Sequence, residues 1–353
     1  MKKIAIEEHY QARCYRDYLL SRKDPPRLEI IDDGGREKVR EWITASQYTV
    51  WSNEIQYKMG DLGGERLKDM DSVGIDMQVL SCSSGDLEMF DVPEGTAMAT
   101  KINDELAHLV SRRPDRYAGF ATLSLRNPEG AADELERAVK QLGLKGTMIT
   151  PHVMGEYVDA RKYWPIFETA AKLGVPVYIH PMPPARDSLH KYAGYPELVG
   201  AAWGFSAETG LSAMRLICSG IFDAYPDLKV ILGHMGEALP YWMQRIDNRL
   251  STLTWQIPRG PDGKLAFTPV ASSLKKLPSR YLMDNFFITT SGVMWSPALL
   301  CGLLALGADR ILFATDYPLE SIEDSVRFME TAPISQGDRE KIFHLNAEKL
   351  FGL

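Results

Sequence analysis

The sequence has little cysteine: Cys14, Cys82, Cys218 and Cys301 are spread over 353 residues, and no two form a C-x-x-C pair. That spacing argues against a structural zinc finger and offers no disulfide framework, so reduced thiols in a cytoplasmic protein are expected. No apolar run approaches 18 residues, and no membrane-spanning helix is expected. Lys2 and Lys3 open the chain, but Glu7 and Glu8 follow at once, leaving no apolar signal-peptide core. Positive charge is also scarce: 40 Lys and Arg stand against 47 Asp and Glu, a formal net charge of −7. This argues against nucleic acid as a partner. It does not exclude an anionic substrate, because a local cation outweighs the global field. There is no internal repeat, no low-complexity tract and no glycine fingerprint of a dinucleotide site.

What is present is the balance of an ordinary globular protein, 45% apolar and 25% charged. The length suits one large domain over residues 1–353, and no linker divides it. Short apolar runs recur, each followed by a turn and a helical stretch. Eight strands are expected: Ile4–Glu7, Asp76–Ser81, Tyr117–Leu123, Gly146–Thr150, Val175–His180, Lys229–Gly233, Phe286–Thr290 and Arg310–Thr315. Their near-continuous apolar character fits a parallel sheet buried on both faces. Helices are expected over Asn127–Leu142, Arg161–Leu173 and Glu208–Ser219. Alternating strands and helices give the α/β class and a distorted (β/α)8 TIM barrel. An insertion after the first strand, at about 11–65, is polar and carries Asp24-Pro25-Pro26 and Asp32-Asp33-Gly34-Gly35. It reads either as a cover for an active site or as a partly disordered surface loop.

In such a barrel the chemistry sits at the C-terminal ends of the strands. The first expected strand ends in Glu7-Glu8-His9, the fifth in His180, the sixth in His234 and the eighth in Asp316. One histidine at a strand end usually means nothing, but four ends converging on one face are a different matter. Glu7 and His9 are two apart and so share one side of an extended strand, while Glu8 points into the barrel wall. With His180 and Asp316 they make two carboxylates and two imidazoles. That donor set suits one divalent ion per chain, Zn2+ or Mn2+, better than Cu+ or Ca2+. His234 and Glu237 are three apart beside a glycine. They form either a tautomer-fixing pair or an ordinary surface ion pair. Trp203, Phe205, Trp295 and Tyr317 flank strand ends and are candidates to sandwich an aromatic ring. His108, His190 and His344 read as surface or helix histidines, and His152 is open.

These residues carry a resemblance. The chain resembles the amidohydrolase superfamily, in the branch of metal-dependent, nonoxidative aromatic decarboxylases. γ-Resorcylate, 2,3-dihydroxybenzoate and 5-carboxyvanillate decarboxylases belong there, and aminocarboxymuconate-semialdehyde decarboxylase more distantly. The blocks that carry it are LGHMGEALPYWMQRID over Leu232 to Asp247, AIEEH at the start, YIHP, ITTSG, RILFATDYP and the closing NAEKLFGL. The resemblance implies that Glu7, His9, His180 and Asp316 bind the metal. It implies that Asp316 also shuttles a proton, with His234 and Glu237 beside it. It gives Arg245 a part in holding substrate charge, and bracing its own helix is the alternative reading. After the fourth strand this chain reads Met148-Ile149-Thr150-Pro151-His152, where the resorcylate enzymes have a run like L-V-N with an Asn that touches substrate.

The implied reaction is decarboxylation of an ortho-hydroxylated aromatic acid, with a small aromatic carboxylate as the ligand and Phe205, Trp295 and Arg245 around it. The alternatives are a hydrolase of the same superfamily acting on a lactone, amide or carbon–carbon bond, and a barrel that only binds an aromatic acid. A homodimer or homotetramer is expected, mainly from the resemblance.

Overall fold

The computed structural model describes residues 1–44, 47–82, 85–251 and 274–353. Its strands in chain order are β1 (Ile4–Tyr10), β2 (Arg27–Asp32), β3 (Glu37–Thr44), β4 (Gln47–Ser52), β5 (Met77–Cys82), β6 (Tyr117–Gly119), β7 (Ala121–Thr122), β8 (Thr147–Ile149), β9 (His152–Val153), β10 (Glu156–Tyr157), β11 (Val177–Ile179), β12 (Val230–Leu232), β13 (Phe286–Thr289) and β14 (Ile311–Leu312). One parallel run is ordered β1-β5-β6 and a second is ordered β7-β8-β11-β12-β13-β14. Phe120 alone separates β6 from β7, so one stretch of chain serves both runs. At the other seam the segment after β14 bonds to β1. Ile6 N donates to Phe313 O (3.1 Å), Asp316 N to Glu7 O (3.0 Å) and His9 N to Tyr317 O (2.7 Å). These bonds complete the ring of a distorted (β/α)8 barrel.

The eight expected strands all fall on this ring, with shifted ends. β1 runs three residues further than expected, to Tyr10, and the third expected strand is broken at Phe120. The eighth is short, because Ala308–Arg310 forms a 3-10 turn before it. Inside the ring, Ile4, Ile6, Val79, Phe120, Tyr178 and Leu312 pack against Phe351 of the C-terminal helix. That helix plugs one end of the barrel, with the Phe120 and Phe351 rings 5.6 Å apart edge to face. The expected crossover helices are present as Pro128–Lys140, Trp164–Leu173 and Gly204–Ser219. The first is capped by Asn127, whose Oδ1 accepts from Gly130 N.

The insertion differs from expectation. It is not a loop but a folded unit of α1 (Arg13–Ser21), the antiparallel meander β2-β3-β4, and α2 (Asn53–Gly60), leading into α3 (Glu65–Val73). Residues 45 and 46 of it lie outside the described residues. The Asp-Asp-Gly-Gly run is the β2–β3 hairpin, with Asp32 Oδ1 accepting from Gly35 N (2.7 Å). Sequence reasoning missed these strands although Arg27-Leu28-Glu29-Ile30 and Gln47-Tyr48-Thr49-Val50 alternate polar and apolar residues. Trp42 stacks on Tyr48 (4.9 Å) and lies under Arg27 and Arg40 instead of in a core.

The barrel plug gives a stability prediction. Phe351→Ala removes a buried ring from the closed end and should cost about 3 kcal/mol. Denaturant unfolding of the purified variant measures it; a midpoint equal to wild type would mean the helix does not close the barrel.

Candidate metal centre

The ligand-bearing segment of β1 owes its aim to an irregularity. The pairing of β1 with β5 shifts register between Ala5 and Glu8. Such a bulge resets the alternation of a strand and re-aims side chains beside a site. Before it, Ile4 and Ile6 face the barrel interior. After it, Glu7 and His9 share the inner side, and Glu8 turns into the wall. There Glu8 accepts from Thr315 N (2.9 Å), Thr315 Oγ1 (2.6 Å) and Gln78 Nε2 (3.0 Å).

Glu7, His9, His180 and Asp316 come together. One ligand atom from each lies within 4.8 Å of all the others. His9 Nε2 is 2.8 Å from Asp316 Oδ1, and His180 Nε2 is 3.7 Å from Glu7 Oε1. The rings of His9 and His180 meet edge to face at 4.8 Å. Ser291 and Thr289 both donate to Glu7 Oε2. Glu7 Oε1 is buried and accepts no hydrogen bond among the described residues. A buried carboxylate oxygen left without a donor is costly. Its position among three other donor atoms is what a cation requires, so the residues present fit a divalent ion.

The electrostatics say the same. Burial pushes the Glu7 carboxyl above its usual range, and the charge of Asp316 adds to that, against His234 and His9. Burial also opposes charge on Asp316, yet hydrogen bonds and charge from His234 and His9 hold its carboxyl well below the ordinary value. Burial, with His9 beside it, lowers His180 to about 3, which leaves it the neutral imidazole that binds metals.

His234 lies next to this group. Its Nε2 is 3.9 Å from both Glu7 Oε1 and Asp316 Oδ2. Its Nδ1 is 2.9 Å from Glu237 Oε1, and the Glu237 side chain is fully buried, so this is no surface ion pair. Burial disfavours the imidazolium, but Glu7, Asp316 and Glu237 outweigh it and raise His234 well above its usual value. The pair stands on an unusual backbone. His234, Met235, Gly236, Glu237 and Ala238 all have positive φ, 49–74°, a left-handed turn directly after β12. Asp316 has φ of 60° as well. Each such non-glycine residue costs about 1–2 kcal/mol, and strain of this kind gathers at functional sites. Gly292 (φ 64°) is required beside it, because a Cβ there would fall 2.9 Å from His234 Cδ2.

The other expected site residues are not among these donors. Arg245 is exposed on the helix Leu239–Ser251, where it lines a surface hollow with Gln244, Asn248 and Arg249. Trp295, at the start of the helix Ser296–Leu306, is 64% exposed, and Trp203 is 61% exposed. Phe205 is half-buried in the first turn of Gly204–Ser219. Tyr317 corrects an expectation. It is buried in the wall, with its hydroxyl on Asp69 (2.8 Å) and the Arg66 guanidinium 4.6 Å from its ring, and is not placed to sandwich a ligand there. His152 is buried, with Nε2 3.1 Å from Pro183 O. Sequence reasoning missed Ser291, Thr289, Gln78 and Arg66. Thr289 and Ser291, two apart at a strand end, carry the same spacing that singled out Glu7 and His9. Arg66, on a helix, carries no such mark.

Comparison with known proteins identifies the family. Residues 50–353 match the family model described as amidohydrolase. A γ-resorcylate decarboxylase of Polaromonas sp. is 36% identical over 99% of this chain and 98% of its own length. A crystal structure of a dihydroxybenzoic acid decarboxylase from Polaromonas sp., with bound manganese and 2-nitroresorcinol, superposes with a TM-score of 0.82 at 36% identity, covering 100% and 97% of the two chains. The 5-carboxyvanillate decarboxylase of Sphingomonas paucimobilis gives 0.83 at 32%, covering 100% and 99%. The chain belongs to the amidohydrolase family. Within it, the chain is a metal-dependent aromatic-acid decarboxylase, a carboxy-lyase.

One divalent ion per chain is the expected result of elemental analysis on protein prepared without chelators. Glu7→Gln and His180→Ala should each weaken binding by at least as much as losing a partner behind a ligand, about 10- to 100-fold. Metal-free protein that is fully active and indifferent to chelators would remove the site.

Proposed function

We propose that the chain decarboxylates an ortho-hydroxylated benzoate without oxidation, and that Glu7, His9, His180 and Asp316 hold the divalent ion, manganese or zinc. The observation that carries this reading is the cluster of four donor atoms within 4.8 Å of one another with a buried proton-handling pair against it. The Polaromonas relative holds manganese, which favours that ion over zinc.

Direct cleavage of an aryl–carboxylate bond would leave an aryl carbanion. The accessible route protonates the ring carbon that bears the carboxylate first, and an ortho hydroxyl makes that carbon electron-rich. A bound ion would supply the positive charge that orients the carboxylate and phenolate oxygens. The chain's own residues then manage one proton. Asp316 is the general acid at the ring carbon. Asp316 is ionised at rest, so its proton comes first from His234, which its acidic neighbours hold protonated 3.9 Å from Asp316 Oδ2, and solvent then restores the proton to His234. Glu237 fixes the tautomer of His234 through Nδ1 and balances its charge. Loss of CO2 restores the aromatic ring, so one proton enters the product and no oxygen does. Thr150 follows β8 where the resorcylate-type run has Asn, and this difference makes the pattern of ring substituents the first property to screen.

Two outcomes test the reading. His234→Asn and Glu237→Gln should each lower kcat by about 10²-fold, the scale of positioned proton transfer, with the metal content of wild type; turnover equal to wild type in either would remove the pair. The reaction class is tested with the best hydroxybenzoate in D2O and in H2(18)O. A deuteron on the carbon that lost CO2, with no oxygen-18 in the organic product, is expected. Oxygen-18 without ring deuterium would make the enzyme a hydrolase. Asp316→Asn should abolish either reaction, so it tests the site and not the class.

A further inference from the structure

Behind the candidate ligand cluster, in the barrel wall, lies a second set of polar groups. Its centre is Arg66 of α3, a fully buried arginine. Arg66 donates from Nε to Asp61 O (3.0 Å) and from one terminal nitrogen to both Lys58 O (3.1 Å) and His9 O (2.5 Å). The other terminal nitrogen donates to Gln78 Oε1 (3.1 Å), and Gln78 Nε2 passes the chain on to Glu8 Oε2 (3.0 Å). Glu8 ends the relay on Thr315, through both its backbone N–H and its hydroxyl.

The endpoints of this relay are its most informative feature. Glu8 sits between the ligands Glu7 and His9. Thr315 precedes Asp316, and Tyr317, which follows it, carries the Arg66 guanidinium on its ring at 4.6 Å. The two ligand-bearing segments are thus gripped on both sides of the residues that point inward. A buried arginine and carboxylate joined through a glutamine are a poor way to gain stability, since an apolar set of the same volume often does as well or better. What such a set does supply is fixed geometry, because each hydrogen bond is directional and each missing partner is costly. Partners behind metal ligands commonly set ligand orientation and affinity. Asp316, at φ of 60°, and β1, at its bulge, are both places where the backbone departs from regular geometry.

We propose that Arg66, Gln78 and Glu8 are positioning residues that set the separation of His9 and Asp316 from behind the barrel wall. Through Lys58 and Asp61 they also tie the end of the insertion, at α2, to the metal centre. This rests on the metal reading above. The folded insertion then has a purpose at the site: its last turn and the start of α3 supply the anchor for His9.

The test uses the full-length protein, Mn2+ as the probe, and three readouts: affinity by chelator competition, the Mn2+ electron paramagnetic resonance line shape, and the melting temperature of the metal-free form. Arg66→Met, Gln78→Met and Glu8→Gln should weaken Mn2+ binding by about 10- to 100-fold and broaden or split the line shape. Arg66→Lys, which keeps a donor for His9 O, should recover part of the affinity. Thr315→Val, a near-isosteric change that removes only the hydroxyl to Glu8, should cost a smaller factor in the same direction. Variants that melt earlier when metal-free yet bind Mn2+ with wild-type affinity and line shape would overturn the proposal and leave the network a packing feature. Should Arg66→Met fail to fold, Gln78→Met and Thr315→Val decide by the same criterion. Wild-type protein that takes up no stoichiometric Mn2+ would instead overturn the metal reading, and this proposal with it.

Discussion

Two carboxylates, Glu7 and Asp316, are buried side by side at the seam where the barrel closes, and the rest of the site follows from keeping them there. In water their repulsion would be screened; in the wall of a barrel it is not. Three imidazoles lie around them, Ser291 and Thr289 satisfy one oxygen of Glu7, and the other is left for a cation. The backbone bond from Asp316 N to Glu7 O (3.0 Å) joins the two ligand segments directly, so the first and last strands of the ring close around this one point.

That arrangement dictates local backbone that the chain would not otherwise adopt. The bulge in β1 lets Ile6 fill the interior while Glu7, the next residue, faces the same side. The left-handed turn His234–Ala238 folds Glu237 back onto His234 within three residues. Neither is favoured locally, and both persist because the surroundings over-determine them. The proposed division of labour follows from it: one group of side chains offers donor atoms to an ion, a second handles a proton, and a third, behind the wall, holds the first in register.

Much of the site was legible beforehand, for a physical reason. Glu7 and His9 are spaced by the period of a strand, and strands of a parallel barrel end on one face, so His180, His234 and Asp316 had to approach them once the strands were recognised. The aromatic residues were harder. Tyr317 adjoins Asp316 in sequence and looked equally available, but the backbone turns at Asp316, whose φ is 60°, and the Tyr317 ring lies in the wall against Arg66. Arg245, Trp203 and Trp295 lie near motif residues in the chain, yet proximity along a chain says nothing about which face of a helix or loop they occupy. In the structure all three are exposed.

The sequence by itself determined the order of elements and the ligand types, because hydrophobic period and residue chemistry are properties of the chain alone. It determined that a barrel would form and which strand ends would carry nitrogen and oxygen donors. It did not reveal that residues 11–65 contain a meander: the alternation in Arg27–Ile30 and Gln47–Val50 is short, and Ile30, Tyr48 and Val50 are exposed and not in a core. Tertiary structure alone decided that Glu8, Gln78, Arg66 and Thr315 would meet behind the ligands. Those four residues are up to 307 positions apart, and their pairing depends on how the barrel closes, which no local pattern encodes.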